Sequence, residues 1–431
     1  MLLKVKKSKT FGTVRIPGSK SHTIRALFIA SLAEGRSVIS HPLFSKDAFS
    51  AVDVCKAFGA RFENAGESFV VDGFSGVPSI PEDIVNVGNS GTTLRFAMMT
   101  AGLANGTTVF TGDHQIRRRP LGPLIKAMNQ LGGDVFSTRS NDMAPVVVRG
   151  RMKGGHTELD AFTSQYLSSI LISAPLLEHD TEVVITRLNE RPYVEMTMWW
   201  LSSQGIEYNN DDFKKIYIKG GQKYKAFNSV IPGDFSSATF FMVLAAVSGG
   251  EFVLENLDMT DPQGDKAVLE YLREMGAEVR FCENGVIIRG GRGLKGMEID
   301  MNATPDALPA MAVAGCFAQG ETRLVNVPQA RMKETDRIHV MCTELIKMGA
   351  DIEELPDGLV IKESRLKGCR VDGHDDHRIV MALAIAGLNA EGETCIGSAE
   401  AMEITFPAFP QMISNCGGEI RLIRERPDMK K

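Results

Sequence analysis

Positively charged side chains recur at the predicted starts of helices and in the loops that follow them. Each stands close to small polar residues that cap helices, such as Ser19 and Asp376. Because a helix start already favours negative charge through its dipole and unpaired N–H groups, added lysine and arginine indicate anion binding. Arginine presents a planar fork that suits carboxylate and phosphate, and lysine presents a point charge. The candidate cations are Lys20, Arg25, Arg95, Arg117, Arg118, Arg119, Lys333, Arg337, His377 and Arg378.

Taken one at a time, these motifs also have ordinary structural explanations. Residues 88–93, GNSGTT, fit a helix-capping turn as well as a phosphate loop. The three arginines at 117–119 fit a solvated surface run, and DDHR at 375–378 fits a cap balanced by salt bridges. Their recurrence at equivalent positions of a repeat is what favours a shared anion site.

The repeat is a unit of about seventy residues that occurs six times along the chain. Its marker is a glycine that closes an amphipathic stretch and precedes a short β-rich run. The marker glycines lie 68 to 73 residues apart, and this near-constant period indicates one architectural unit. They are Gly59, Gly132, Gly205, Gly276, Gly349 and Gly417.

Each unit predicts the order βαβαββ, with a buried apolar first helix and an amphipathic second helix. We expect a glycine in the left-handed conformation to cap the first helix in five copies, and residues 178–180 to end the third. Those glycines are Gly35, Gly106, Gly249, Gly320 and Gly392. The units divide into three and three, with the polar stretch 209–228 as the expected boundary. If the copies are related by rotation, their helix starts converge on a common region.

Bulk composition restricts the class of protein. The 431 residues fit two domains, and 43% hydrophobic and 23% charged residues are typical of a globular chain. A net charge of −5 argues against general affinity for nucleic acid. Seven scattered cysteines without a CxxC spacing predict reduced thiols in a cytoplasm, with neither a disulfide framework nor a zinc site. No apolar run reaches eighteen residues, so no membrane span is expected.

Nine motifs follow one another along the chain. They are PGSKS at 17–21 with Arg25, GNSGTTLR at 88–95, RRRP at 117–120, TSQY at 163–166, RPY at 191–193, PGDFSSA at 232–238, PD at 305–306, KETDR at 333–337 and DHR at 376–378. This ordered set resembles the enolpyruvyl transferases, and among them the members that act on shikimate 3-phosphate. The resemblance covers essentially the whole chain, and the ordered set is far more specific than any one motif.

The resemblance implies an α/β protein with the two-domain inverse α/β barrel fold (α/β prism), each domain holding three βαβαββ repeats with pseudo-threefold symmetry. The implied domains are residues 19–232 and residues 1–18 with 233–431, with the first strand packed in the second domain and the active site in the cleft between the domains. The implied reaction moves the enolpyruvyl group of phosphoenolpyruvate to the 5-hydroxyl of shikimate 3-phosphate. It needs no metal or organic cofactor, and we expect a cytoplasmic monomer with these small anionic substrates as partners, and with no nucleic acid or membrane.

The resemblance also assigns roles to residues. Asp306 is expected to be the base for the 5-hydroxyl, and Lys333 and Glu334 are expected to deliver the proton. Phosphoenolpyruvate is expected to bind Lys20, Gly91, Arg119, Gln165, Arg337 and Arg378. Shikimate 3-phosphate is expected to bind Lys20, Ser21, Arg25, Thr163, Ser164, Gln165, Tyr193, Asp306, Gln329 and Lys333.

The chain departs from the family pattern at four positions. Glu190 replaces a serine beside the shikimate phosphate, where an acid would repel the substrate unless it turns away. Ile404 replaces a lysine that contacts phosphoenolpyruvate. Thr163 for serine and Gln329 for asparagine keep hydrogen-bonding groups. The first two departures leave open an altered acceptor or a weakened paralogue that still binds the anions.

Two other functions compete with this interpretation. The sister transferase that acts on a UDP-amino sugar carries a reactive cysteine in the loop of the second repeat, but residues 112–117 of this chain read GDHQIR. A ring-shaped clamp around DNA also suits sixfold pseudo-symmetry. A clamp would place lysine and arginine along helix faces, whereas these cations lie at helix starts and in loops.

Overall fold

The computed structural model describes residues 1–291 and 293–424. The last seven residues of the implied second domain lie outside this range. The chain forms two compact units, which we call the continuous unit, Gly18–Ile231, and the discontinuous unit, Met1–Pro17 with Pro232–Lys431.

Helices are interspersed with short strands along the whole of the described chain. The helices are α1 (Lys20–Leu32), α2 (Lys46–Ala57), α3 (Gly91–Ala101), α4 (Gly122–Gln130), α5 (Ser164–Ser173), α6 (Arg191–Ser203), α7 (Phe235–Ser248), α8 (Ala267–Met275), α9 (Leu308–Cys316), α10 (Arg337–Lys347), α11 (His377–Asn389) and α12 (Phe409–Asn415). The strands are β1 (Leu2–Lys6), β2 (Gly12–Arg15), β3 (Arg36–Ser40), β4 (Arg61–Asn64), β5 (Ser68–Asp72), β6 (Val85–Asn86), β7 (Thr107–Thr111), β8 (Asp134–Ser137), β9 (Val146–Arg149), β10 (Gly155–Ala161), β11 (Thr181–Leu188), β12 (Tyr208–Asp211), β13 (Lys215–Ile218), β14 (Asn228–Val230), β15 (Glu251–Glu255), β16 (Glu278–Cys282), β17 (Gly285–Arg289), β18 (Leu294–Lys295), β19 (Glu298–Asp300), β20 (Ala318–Gln319), β21 (Glu321–Val325), β22 (Asp351–Leu355), β23 (Gly358–Lys362), β24 (Arg370–Asp372), β25 (Glu393–Gly397) and β26 (Glu419–Ile423).

Three four-stranded sheets of one topology build the continuous unit. Their orders are β14-β3-β5-β4, β6-β7-β9-β8 and β10-β11-β13-β12. In each sheet the first pair is parallel and the other two pairs are antiparallel. The second and third copies therefore follow the predicted order along the chain, whereas β14, from the end of the unit, supplies the leading strand of the first copy.

The discontinuous unit repeats the same topology. Its sheets have the orders β2-β15-β17-β16, β19-β21-β23-β22 and β24-β25-β1-β26, and β18 and β20 form a further short pair. The two N-terminal strands thus enter different sheets, because β2 leads the fourth copy and β1 completes the sixth.

The helices form the interior of each unit. In α9 every residue is buried, and α1, α3, α5, α7 and α11 are buried over nearly their whole length. Strands such as β15 bury alternate residues, as strands with one face on a core do. The second helices are amphipathic: α8 buries Val268, Leu269, Leu272 and Met275 and turns its charged residues outward. Helices inside and sheets outside confirm the inverse α/β barrel.

The marker glycines all have the left-handed backbone that the repeat predicted. Their φ values are 104°, 93°, 69°, 113°, 92° and 89° in chain order. The expected glycine caps of the first helices are mostly wrong, since only Gly249 ends its helix in this conformation. Helices α1 and α11 instead end at Ala33 and Ala390 in extended conformation, and the predicted glycines, Gly35 and Gly392, have positive φ values of 100° and 93° two residues further on.

The expected boundary at residues 209–228 is also wrong. Strands β12 and β13 lie in this stretch and pair within the sheet of the third copy. The stretch is polar because these strands expose many side chains: β12 lies at the edge of its sheet, and β13 buries only alternate residues.

Within the described residues, no helix is both long and apolar enough to cross a membrane. All seven cysteines are described, and none takes part in a disulfide.

Candidate active site

Three helix starts meet in the discontinuous unit and form what we call the acid–base cluster. A 3₁₀ turn, Pro305–Ala307, leads into α9, and a second 3₁₀ turn, Pro328–Met332, precedes the first residue of α10. Helix α11 begins directly after its N-cap residue, Asp376. The cluster consists of Asp306, Lys333, Glu334, Arg337, Asp376 and Arg378.

Asp306 lies among three cations. Its Oδ1 accepts a hydrogen bond from Nη1 of Arg337 at 2.8 Å, and its Oδ2 accepts one from Nη2 of Arg378 at 2.9 Å. The Nζ of Lys333 is 3.7 Å from Oδ1. The side chains of Asp306 and Lys333 are 16% and 15% exposed, so both remain accessible to a small molecule.

Arg337 links the carboxylates of the cluster. Besides Asp306, its guanidinium donates to Glu334 at 2.5 Å and to Asp376 at 2.8 Å. Its side chain is only 1% exposed. Burial lowers the pKa of this guanidinium, but the charges of Asp376, Glu334 and Asp306 outweigh burial and hold the pKa above its ordinary value.

Two acids of this region were missed as site residues in the sequence. Asp376 accepts from the backbone N–H of Arg378 at 2.9 Å, and its capping position was the available signal. Asp265 lies in a 3₁₀ turn before α8, is buried, and accepts a hydrogen bond from Ser236; no pattern in the sequence marks it. Burial, together with the charge of Asp306, raises the pKa of Asp265 to about 6.

Two further predicted positions in this unit differ in character. Gln329 is buried in the turn before Lys333, where its Nε2 donates to the carbonyl of Asn302 at 3.1 Å. Ile404 ends a 3₁₀ helix, Ala399–Ile404, and packs partly buried against the apolar core. Its side chain therefore serves packing at a position where the repeat predicted an anion-facing group.

In the continuous unit, the first residues of α1 hold two of the predicted cations. The Nζ of Lys20 lies 3.4 Å from Oδ2 of Asp47, an acid outside the predicted site. Arg25 is 3% exposed and donates to Thr197 at 2.8 Å and to the carbonyl of Tyr193 at 2.8 Å. Burial lowers its pKa to about 10, because none of the hydrogen-bond acceptors around it is a carboxylate. The carbonyl of Ser21, another predicted position, is one of those acceptors at 3.0 Å.

The start of α3 holds two arginines against Gly91. A Cβ at Gly91 would lie 2.5 Å from Nη1 of Arg95 and still closer to Nη1 of Arg119. Arg95 donates to the carbonyl of Gly91 at 3.0 Å and lies over the ring of Tyr166. The glycine therefore gives room to the guanidiniums themselves. The other two arginines of the RRRP motif, at 117 and 118, are exposed.

The start of α5 is occupied by the side chain of Glu190. Its Oε2 accepts from the backbone N–H of Ser164 at 3.0 Å, from Oγ of Ser164 at 2.6 Å and from Oγ1 of Thr163 at 3.2 Å. Thr163 is the N-cap of α5 and accepts from the N–H of Gln165 at 3.5 Å. The acid thus turns toward the predicted phosphate-binding residues and fills their hydrogen-bonding sites.

Among the described residues, no group of three or more histidine, cysteine and acidic side chains is arranged to hold a metal ion. The predicted site residues fall in both units. Those of the discontinuous unit, apart from Gln329, form one connected cluster, whereas those of the continuous unit lie near the starts of α1, α3, α5 and α6.

Comparison with known proteins gives a consistent result. The family model described as EPSP synthase (3-phosphoshikimate 1-carboxyvinyltransferase) matches residues 5–413. A 3-phosphoshikimate 1-carboxyvinyltransferase of Acetivibrio thermocellus is 67% identical, over 97% of this chain and 99% of its own length. Those of Ruminiclostridium cellulolyticum and Methanocella arvoryzae are 63% and 45% identical, each over 98% of this chain and 100% of its own length. A solved EPSP synthase of Acinetobacter baumannii has a TM-score of 0.81 at 28% identity, over 98% of this chain and 100% of its own.

Proposed function

The chain belongs to the EPSP synthase (3-phosphoshikimate 1-carboxyvinyltransferase) family, and we propose that it transfers the enolpyruvyl group of phosphoenolpyruvate to the 5-hydroxyl of shikimate 3-phosphate. Phosphate is the second product. The proposed domains, residues 19–232 and residues 1–18 with 233–431, are supported by the division of the chain after Pro17 and after Ile231.

The observation that carries the assignment of the chemistry is the position of Asp306 in the acid–base cluster. Its carboxylate lies 3.7 Å from the amino group of Lys333, and both are partly accessible. Enolpyruvyl transfer needs a group that takes the proton of the attacking hydroxyl, a group that gives a proton to carbon, and cations for a doubly anionic substrate. The cluster contains all three kinds of group.

In the proposed mechanism, Asp306 takes the proton of the 5-hydroxyl as this oxygen bonds to C2 of phosphoenolpyruvate. Lys333 or Glu334 gives a proton to the methylene carbon, which completes a tetrahedral intermediate. In the second step the group that gave this proton takes one back from the new methyl group, the C–O bond to phosphate breaks, and the double bond forms again. The overall reaction then balances, because the hydroxyl proton leaves with the phosphate.

Arg337 and Arg378 are proposed to hold phosphoenolpyruvate, and in the structure both bind Asp306. A substrate anion that competes for these guanidiniums weakens their hold on Asp306. Because nearby cations stabilise a carboxylate and reduce its proton affinity, this exchange makes Asp306 a stronger base when substrate is present. The other groups proposed to bind phosphoenolpyruvate are Lys20, Gly91, Arg119 and Gln165.

Arg25 is proposed to bind the acceptor. It is a buried cation held by neutral oxygens, and its pKa is lowered by burial to about 10. A phosphate or carboxylate nearby would offset that burial, so the site favours an anionic acceptor. The groups proposed for shikimate 3-phosphate are Lys20, Ser21, Arg25, Thr163, Ser164, Gln165, Tyr193, Asp306, Gln329 and Lys333.

The test is a phosphate-release assay with shikimate 3-phosphate and phosphoenolpyruvate, with each omitted in turn and with a UDP-amino sugar as the control acceptor. We expect release only when shikimate 3-phosphate and phosphoenolpyruvate are both present, with the carboxyvinyl product identified by mass. Release with the UDP-amino sugar and none with shikimate 3-phosphate would overturn the proposal.

A weakened paralogue is the second candidate, and Glu190 is the observation that favours it, since it fills the sites of Ser164 and Thr163. Calorimetric binding of both substrates without turnover would support it over the first candidate. We further propose a cytoplasmic monomer. Light scattering of the purified chain tests the oligomeric state.

A further inference from the structure

Glu190 has an unusual position at the junction of two helices. It is the N-cap of α6, but its side chain makes no capping bond to that helix. Its backbone is held in the left-handed region with a φ of 59°, which is uncommon for a residue with a side chain. The side chain is directed to the first turn of α5 and is almost fully buried, with 1% of the residue exposed.

The contacts of Glu190 are those of a bound anion. One carboxylate oxygen, Oε2, receives a backbone N–H and two hydroxyl groups at distances of 2.6 to 3.2 Å. Short hydrogen bonds from hydroxyl and amide groups to an ionised oxygen are among the strong ones in proteins. The helix dipole of α5 adds to this stabilisation, because the oxygen lies at the positive end of the helix.

We propose that Glu190 is an internal competitor for the phosphate of shikimate 3-phosphate and thereby sets the affinity of the enzyme for this group. The inference rests on the proposed function, since Thr163 and Ser164 are assigned there to the acceptor. A phosphate that uses these donors needs the place of Oε2, so Glu190 has to withdraw before the phosphate binds.

The competition has two consequences. In the free protein, the carboxylate satisfies donors at the start of α5 that would otherwise be buried without an acceptor. In the complex, the phosphate and the displaced carboxylate are both negative and lie in a region of low exposure, where repulsion is stronger than in water. The acid therefore stabilises the empty site and weakens the filled one.

The first test measures binding of shikimate 3-phosphate and of shikimate by isothermal titration calorimetry in wild type, Glu190→Gln and Glu190→Ser. Glutamine keeps an acceptor oxygen without the charge, and serine removes both the charge and the obstruction. We expect both variants to bind shikimate 3-phosphate about tenfold more tightly or better, with shikimate changed less than about twofold. A gain in affinity for shikimate 3-phosphate that exceeds the gain for shikimate would show that Glu190 acts on binding of the phosphate group.

The matched control is Glu195→Gln. Glu195 lies on the same helix, is 41% exposed and pairs with Arg191 at 2.9 Å. Its replacement removes the same charge from α6 without touching α5, so neither ligand should bind differently. A gain in affinity equal to that of the Glu190 variants would mean that net charge alone acts, and would overturn the inference.

The second test does not depend on catalysis. Glu190→Ser leaves the donors of α5 without their acceptor, so we expect it to melt about 2 to 12 °C below wild type. Inorganic phosphate should raise the melting temperature of this variant more than that of wild type, since the anion replaces the carboxylate. Equal stabilisation of the two proteins by phosphate would count against an anion site held by Glu190.

The outcomes separate this inference from the proposed function. Normal turnover by wild type, with unchanged or weaker binding of shikimate 3-phosphate by both Glu190 variants, overturns the inference alone. Absence of binding and turnover in wild type and in every variant overturns both.

Discussion

Replacement of Arg337 tests the acid–base cluster most directly. The guanidinium is 1% exposed and bonds to Asp306, Glu334 and Asp376 within 2.5 to 2.8 Å. Arg337→Met keeps much of the apolar stem and removes the charge. Removal of one partner from a buried ionic network costs about 3 to 5 kcal/mol, because charges are left buried without compensation.

This cost converts into a change of melting temperature. For a unit of about 200 residues, 1 kcal/mol corresponds to about 2 to 4 °C, so Arg337→Met should melt about 6 to 20 °C below wild type at pH 8 in scanning calorimetry. Arg337→Lys keeps a charge but not the planar fork of the guanidinium, so its melting temperature should lie between those of wild type and Arg337→Met. The matched control is Arg273→Met: Arg273 is 53% exposed and pairs only with Glu270 among the ion pairs of the described residues. An exposed pair contributes about 0 to 1 kcal/mol, so this control should shift by about 4 °C at most.

The loss of stability in Arg337→Met should depend on pH, and the direction of that dependence tests the account of the cluster. In Arg337→Met the three carboxylates face one another without the guanidinium, and protonation relieves their repulsion. A group that binds protons more readily folded than unfolded adds stability at low pH and loses it as pH rises. The difference between wild type and Arg337→Met should therefore narrow as pH falls from 8 toward 5. A melting temperature within 2 °C of wild type at pH 8, or a difference that stays constant across this pH range, would refute this account of the cluster.

Three further replacements test other parts of the site. Asp306→Ala should lower the rate of phosphate release by about 10²-fold or more, while binding of both substrates stays measurable by calorimetry. Full activity of this variant would refute the assignment of Asp306 as the base. Gly91→Ala should raise the KM for phosphoenolpyruvate about tenfold or more, because its Cβ would meet Arg95 at 2.5 Å and Arg119 closer still, and an unchanged KM would show that the guanidiniums give way freely. The pKa of Asp265 is raised to about 6, so its contribution to stability is fully present below about pH 4 and is lost as pH rises through 6. Asp265→Asn should remove this dependence and be more stable than wild type above pH 7 by up to about 3 kcal/mol in urea titrations, and parallel pH profiles would contradict it.

The repeat could be predicted from the sequence because its marker glycines have a local cause. A marker glycine has to adopt a positive φ at the end of each second helix, and this need is visible at one residue at a time. The pairing of β14 and β1 with strands of distant copies could not be predicted in the same way. Nothing local indicates that β14 leads the sheet of the first copy or that β1 completes that of the sixth, since such pairing depends on contacts between distant parts of the chain.

The site was predicted unevenly for a related reason. Cations at helix starts stand out in the sequence, but acids at the same places look like ordinary caps. The structure shows that Asp376 and Asp265 belong to the same region as Asp306, so the cluster is a mixture of charges and not a group of cations. Glu190 stands out in the sequence as a departure, but whether it faces Thr163 and Ser164 depends on its left-handed backbone, which the sequence does not reveal.

Arg25 and Arg337 are both buried and both proposed to bind anions, but their surroundings are opposite. Arg337 is surrounded by carboxylates, so its pKa lies above the ordinary value, and an incoming anion has to compete with Asp306 for it. Arg25 is surrounded by neutral oxygens, so burial lowers its pKa to about 10, and an incoming anion supplies compensation that the protein does not. An anion at Arg25 therefore gains mainly affinity. An anion at Arg337 gains less affinity, but it loosens the carboxylate of Asp306, which acts as the base in the proposed mechanism.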